Sequence, residues 1–205
     1  MQFFINYASV PHSPNTFIYL DCLFLVVSIA LESSVLTVFG SLAIRCTPRF
    51  RFERPLPHAA GLKPSGKLDM ALLLAPEQAV CAGSFTTSVV RAACVDLCAE
   101  RLAANGGQAR AVLINSGQAN ACTGDRGLID SQRATQALAN QLGLDAEAVL
   151  ICSTGVIGVP IPMPTLLAGL DPLVAALSAT GGEAAATAIL TTDLVDKQVA
   201  LEAEL

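Results

Sequence analysis

Residues 115–124 read Asn-Ser-Gly-Gln-Ala-Asn-Ala-Cys-Thr-Gly, and residues 153–158 read Ser-Thr-Gly-Val-Ile-Gly. Each stretch is entered from an apolar run: Ala109–Asn115 leads into the first and Val149–Ser153 into the second. The runs read as buried strands and the small-residue stretches as loops. Without bulky side chains, such loops offer backbone amides and short hydroxyls. They can approach a ligand closely and aim N–H groups at a developing negative charge.

Other elements follow outward from these two. Asp69–Ala75 reads as a buried strand, and Ala79–Phe85 as its neighbour across a tight turn at Pro76–Gln78. Cys94–Ala104 has apolar residues at helical spacing and ends at Asn105-Gly106-Gly107, a helix-stop signature. Leu128–Leu142 reads as a helix closed by Gly143, and Thr165–Leu177 as a helix broken at Asp171-Pro172. Pro160, Pro162 and Pro164 predict an extended exit from the second loop. Glu183–Leu190 is a short Ala-rich helix, and Val199–Leu205 begins a strand. Strands alternate with helices, so the class is α/β.

Composition divides the chain. Nine of its ten aromatic residues lie in 1–52, and Pro48, Pro55 and Pro57 mark a boundary there. We therefore read a hydrophobic N-terminal extension over 1–52 and the working unit over 53–205. The extension's apolar runs are interrupted by Asp21 and Glu32. A membrane span needs about 20 apolar residues, and a central carboxylate costs about 2.5–3.5 kcal/mol, which makes a span a weak expectation. No positive charge precedes the apolar run, which argues against a cleaved signal peptide. Sequence foreign to the working unit, a membrane anchor and a targeting segment stay open as readings.

The chain is 53% hydrophobic and 14% charged, with a net charge of −5. No basic patch beyond Arg45–Arg54 invites nucleic acid. Seven cysteines, several inside apolar runs, read as reduced thiols, and their spacing suggests no zinc site. The only histidines, His12 and His58, lie outside the strand–loop elements, so acid–base catalysis by histidine is not expected.

Gly61-Leu62-Lys63-Pro64-Ser65-Gly66-Lys67 spells most of a P-loop. Leu68 stands where a magnesium-binding Ser or Thr belongs, no strand precedes Gly61, and a strand follows. It reads as a turn, with contact between an anionic substrate and Lys63, Ser65 or Lys67 as an alternative. Ser153-Thr154-Gly155 offers a hydroxyl and an N–H to an oxyanion, or is simply a turn. Thr191-Thr192-Asp193 alone is a polar stop or an N-cap.

In order and spacing these motifs say more than they do singly. Residues 60–69 (Ala-Gly-Leu-Lys-Pro-Ser-Gly-Lys-Leu-Asp), Phe85-Thr86-Thr87, 115–124, 153–158 and Ile189-Leu190-Thr191-Thr192-Asp193 resemble the bifunctional ornithine acetyltransferase/glutamate N-acetyltransferase family of arginine biosynthesis. The resemblance covers about 53–205, the first half of that family's length, and implies the N-terminal (α-chain) half of its fold. It also implies acetyl transfer from N-acetylornithine, or from acetyl-CoA as co-substrate, to glutamate, with no metal and no bound cofactor. Family members cut themselves before a Thr in an Ala-Thr-Met-Leu motif, and that Thr becomes the nucleophile. The α and β chains are expected as a cytoplasmic assembly of two α and two β. By the same resemblance Thr154 and Gly155 form the oxyanion hole, and Thr191, with Thr192 as second choice, binds substrate.

The nucleophile's motif lies past residue 205, and the Ala-Thr pairs at 134–135, 179–180 and 186–187 lack a following Met-Leu. The chain is therefore expected to be inactive by itself. An inert fragment of a disrupted gene and a membrane-anchored binding module are the competing readings.

Overall fold

A computed structural model describes residues 2–6, 18–19, 59–177 and 181–193. Its sheet has the strand order β2-β1-β3-β4-β5, with β1 at Gln2–Asn6, β2 at Ile18–Tyr19, β3 at Met70–Ser84, β4 at Gln108–Gln118 and β5 at Val149–Val156. β3 is antiparallel to both β1 and β4, whereas β4 and β5 run parallel. The helices are α1 (Ala93–Ala104), α2 (Gly124–Leu142), α3 (Met163–Ala168), α4 (Leu170–Ala175) and α5 (Gly182–Ile189). The α/β class expected from the sequence holds. The strand expected at Val199–Leu205 lies outside the described residues, as does most of 1–52.

Several boundaries differ from the sequence reading; α2, for one, begins at Gly124 and not at Leu128. The two strands expected at 69–75 and 79–85 are one strand of 15 residues. No turn forms at Pro76. A register shift between Leu74 and Ala79 absorbs the surplus residues, and β3 stays paired to β4 on both sides of it. A bulge is where a strand tolerates a proline, which has no N–H to donate. The helix break falls at Gly169 and not at Asp171-Pro172. Pro172 sits in the first turn of α4, where a missing N–H loses no helical bond. For the same reason Pro164 lies inside α3, so the stiff extended exit ends at Pro162.

The core lies between sheet and helices. Leu113, Ile114, Leu150 and Ile151 of the central strands are fully buried, as is Leu138 of α2. β5 is the last strand of the order, and α1 meets its backbone. The Cys98 thiol contacts the Ile151 carbonyl at 3.3 Å, and Arg101 Nη1 donates to the Val149 carbonyl at 2.6 Å. Burial pushes the Cys98 thiol up, so it stays neutral there.

One buried carboxylate shapes the turn ahead of β3. Asp69 has no exposed surface. Its Oδ1 accepts from the Ala60 N–H at 2.8 Å, and its Oδ2 from Gly61 at 3.0 Å, Leu62 at 2.7 Å and Lys63 at 3.2 Å. Burying a charge is costly unless hydrogen bonds replace water, and four amides do so here. The P-loop spelling thus belongs to a turn wrapped on its own carboxylate. Asp69→Ala leaves four donors without their acceptor and is expected to cost about 3 kcal/mol or more. Urea unfolding followed by circular dichroism checks this; a loss below about 1 kcal/mol would show that the turn holds itself.

Candidate active site

Because β4 and β5 are parallel neighbours, their C-terminal ends emerge side by side, where open α/β sheets gather ligands. Asn115 stands opposite Ser153, Ser116 opposite Thr154, and Gly117 opposite Gly155. The segments expected as loops therefore begin as strand, and pairing continues to Gln118 and Val156. The loops proper are shorter than the sequence suggested. Small residues that release the chain elsewhere here let two backbones pair closely.

Glycine is required at two of these positions. Gly117 has φ +124° and Gly155 φ +128°. A Cβ on Gly155 would fall 2.5 Å from the Gly117 carbonyl oxygen, and one on Gly117 would fall 2.8 Å from the Leu62 carbonyl oxygen. Three stretches of backbone, the turn on Asp69, β4 and β5, are thus stacked with no side chain between them. Gln118 Nε2 donates to the Leu62 carbonyl at 3.0 Å and ties the stack further.

Side chains fix the flanks. The Ser153 hydroxyl donates to Asn115 Oδ1 at 2.6 Å. Asn120, at φ +52°, donates through Nδ2 to the Gly127 carbonyl at 3.0 Å and to the Ser131 hydroxyl at 2.8 Å. Its Oδ1 accepts from the Thr123 hydroxyl at 2.9 Å. The Ala119 N–H donates to the Val156 carbonyl at 2.9 Å, and the Gly158 N–H to the Ala121 carbonyl at 2.8 Å. The two exit segments are therefore laced to each other.

These elements form a cleft of about 800 Å³. Thr154, Gly155, Thr191 and Thr192 all line it. Thr154 is buried in its wall, while Thr191 and Thr192 are exposed beyond the end of α5. Of the three residues offered to an anionic substrate, Lys63 and Ser65 line the cleft and Lys67 lies outside its lining. Thr86 of the Phe-Thr-Thr motif and Arg91 also line it. Sequence reading singled out neither Arg91 nor Ser116; both are unremarkable until the fold places them.

The cleft walls also carry thiols. Burial raises the Cys94 thiol, and hydrogen bonds with Ser153 offset this only in part. A neutral thiol is a poor nucleophile. Two of the three Ala-Thr pairs lie in helices: the Thr135 hydroxyl bonds the Ser131 carbonyl at 3.0 Å, and the Thr187 hydroxyl the Glu183 carbonyl at 3.0 Å. The pair at 179–180 lies outside the described residues. Among the described residues no cluster suits a metal ion, and no helix is long and apolar enough to cross a membrane.

Residues 56–205 match the ArgJ family. The chain belongs to the ArgJ family. The arginine biosynthesis bifunctional protein ArgJ of Parasynechococcus marenigrum (strain WH8102) is 97% identical over 147 residues, 72% of this chain and 36% of that protein. The protein of the same name from Prochlorococcus marinus (strain MIT 9313) is 78% identical over 146 residues, 71% of this chain and 34% of that protein. The chain thus spans about a third of the length of these curated ArgJ relatives. A solved ornithine acetyltransferase from Mycobacterium tuberculosis, complexed with ornithine, aligns at TM-score 0.65 with 37% identity, covering 78% of this chain and 93% of that one. The ArgJ structure from Bacillus halodurans aligns at TM-score 0.64 with 28% identity, covering 82% of this chain and 92% of that one. The fold is that of these ArgJ and ornithine acetyltransferase structures.

The backbone stack makes a sharp forecast. Gly155→Ala adds a Cβ into the Gly117 backbone and strains a positive φ, and is expected to cost about 3 kcal/mol or more. Thermal unfolding measures it, and a change below about 1 kcal/mol would show that the strands can part without harm.

Proposed function

We propose that this chain provides the oxyanion-binding and part of the substrate-binding surface of a glutamate N-acetyltransferase that uses N-acetylornithine as acetyl donor. Acetyl-CoA is a further donor in the bifunctional reading. The observation that carries the proposal is the convergence of Thr154, Gly155, Thr191 and Thr192 on one cleft. The family membership and the ornithine-bound neighbour support the same chemistry.

In this reading the nucleophile is a Thr from a following β segment, with its own α-amine as base. Its hydroxyl oxygen adds to the acetyl carbonyl carbon of N-acetylornithine, and the π electrons move onto oxygen. The Thr154 hydroxyl and a backbone N–H at Thr154–Gly155 receive that negative charge. Collapse of the adduct breaks the C–N bond, and ornithine leaves with the proton the base took up. The glutamate amine then attacks the acetyl-Thr ester, and N-acetylglutamate departs while the Thr hydroxyl regains its proton. Thr191 and Thr192 bind the amino-acid portion of the substrates.

Two observations favour a β segment as partner. The solved ornithine acetyltransferase chain is matched over 93% of its length, whereas the curated relatives are matched over about a third of theirs. A chain of about that span is what a cut precursor would leave, which supports the reading. The cleft mouth also carries exposed apolar side chains: Val90, Val156 and Ile157 line it and are 66%, 59% and 65% exposed. Exposed apolar surface of that kind suits a covering chain. An assembly of two α and two β chains in the cytoplasm completes the reading. Residues 1–52 are proposed to contribute nothing to the catalytic chemistry, which accords with a family match beginning at residue 56, although β1 and β2 extend the sheet beside β3.

The test grafts residues 56–205 into the full-length Parasynechococcus marenigrum relative and follows N-acetylglutamate. Thr154→Ala is expected to lower kcat by about 10²-fold or more; near-normal turnover would demote Thr154 to a wall residue. The 205-residue chain without a β segment is the companion control and is expected to show no turnover. A second measurement concerns the extension. Deleting residues 1–50 from the 205-residue chain is expected to leave its solubility unchanged or better, and loss of soluble protein would show that the pairing of β1 with β3 is structural.

A further inference from the structure

The end of α5, which carries Thr191 and Thr192 into the cleft, is held by one carbonyl. Ala188 lies in the last turn of that helix, where carbonyls lack helical partners and the dipole is negative. Two buried donors from distant parts of the chain meet its oxygen. Lys63 Nζ donates to it at 2.8 Å and to the Leu68 carbonyl at 2.6 Å. The Ser116 hydroxyl donates to it at 2.5 Å.

Each donor is itself anchored. The Lys63 N–H is one of the four amides on Asp69, and the Ser116 N–H donates to the Asp69 carbonyl at 2.8 Å. Ser116 is the residue in register with Thr154. The contacts therefore close a ring through Asp69, Lys63, Ala188 and Ser116. That ring joins the strand position of the proposed oxyanion hole to the helix end that presents the proposed substrate-binding threonines.

We propose that Lys63 and Ser116 are positioning residues that fix the distance between Thr154–Gly155 and Thr191–Thr192 by jointly holding the Ala188 carbonyl. Lys63 supplies a cation at a helix C-terminus, and Ser116 a neutral, geometrically fixed donor. Neither needs to touch substrate. This rests on the acetyltransferase reading, since it assigns the two ends of the span their roles.

The experiment uses the same full-length graft, with Lys63→Met, Lys63→Arg and Ser116→Ala. Steady-state kinetics with N-acetylornithine are read together with hydrogen exchange of the amides at 186–193 and 150–156. Lys63→Met and Ser116→Ala are expected to raise KM about tenfold, with a smaller fall in kcat. Amides at 186–193 should exchange faster while those at 150–156 stay protected. Lys63→Arg, which keeps the cation, should recover most of the KM. A KM and exchange pattern unchanged in Ser116→Ala and Lys63→Met would overturn the proposal. So would equal loosening of both segments, which is what a general loss of packing produces. If Lys63→Met fails to fold, Ser116→Ala and Lys63→Arg still decide it. The unsubstituted graft separates the two ideas: no N-acetylglutamate from it defeats the acetyltransferase reading, whereas altered exchange at 186–193 in Lys63→Met and Ser116→Ala reports on the clamp whatever the reaction.

Discussion

Two parallel strands can open onto a shared cleft at close range only where no side chain stands between them. Gly117 and Gly155 create that condition, because each lies at a φ near +125° with the neighbouring backbone where a Cβ would be. The Leu62 carbonyl completes the stack from the other side of β4. A conformation that costs other residues 1–3 kcal/mol is nearly free for glycine. In return, the strand ends become a surface of amides and short hydroxyls within the sheet itself, and the donors that line the cleft inherit the stiffness of hydrogen-bonded strand.

The stack needs the third backbone held in place, and Asp69 holds it. Four amides on one buried carboxylate fix residues 60–63, and through them the Leu62 carbonyl over Gly117 and the Lys63 side chain toward α5. The same residue's own carbonyl receives Ser116. A buried charge satisfied in this way gives more geometric definition than net stability, because desolvation offsets much of the hydrogen-bond energy. That balance suits a turn whose task is to place atoms.

Sequence reading reached the strand ends but not what binds them together. The small-residue stretches at 115–124 and 153–158 are visible because missing bulk is a local property, and the apolar runs before them locate the strands. The single strand Met70–Ser84 was not visible, since Pro76 looks like a turn until its partner strand is known; the bulge depends on pairing with β4, which no local pattern records. The break at Gly169 was missed because a first-turn proline and a helix-ending proline are spelled alike. The contact of Lys63 with Ala188 spans 125 residues, and that of Ser116 with the same carbonyl spans 72, so neither leaves a mark in spacing. Asp69 did leave one: an acid directly before a fully apolar strand must find donors, and the nearest lie in the glycine-rich turn behind it.

Each central strand divides its length between two tasks. In β4, Ala111–Ile114 is apolar and fully buried, Asn115 and Ser116 follow as buried polar residues, and Gly117 lines the cleft. In β5, Val149–Cys152 is apolar and buried, and Ser153, Thr154 and Gly155 follow. The switch occurs at the same register step in both strands, Ile114 with Cys152 and then Asn115 with Ser153. Packing of the first part fixes the direction of the second, so the polar ends need little apolar contact of their own. A surface made of backbone amides and hydroxyls is weak donor by donor. It becomes effective when the donors cannot reorient as charge develops, because reorganisation is then not part of the barrier. Thr154 shows the arrangement in one residue: buried at 6% exposure, paired in register with Ser116, and followed by the glycine that brings β5 against β4.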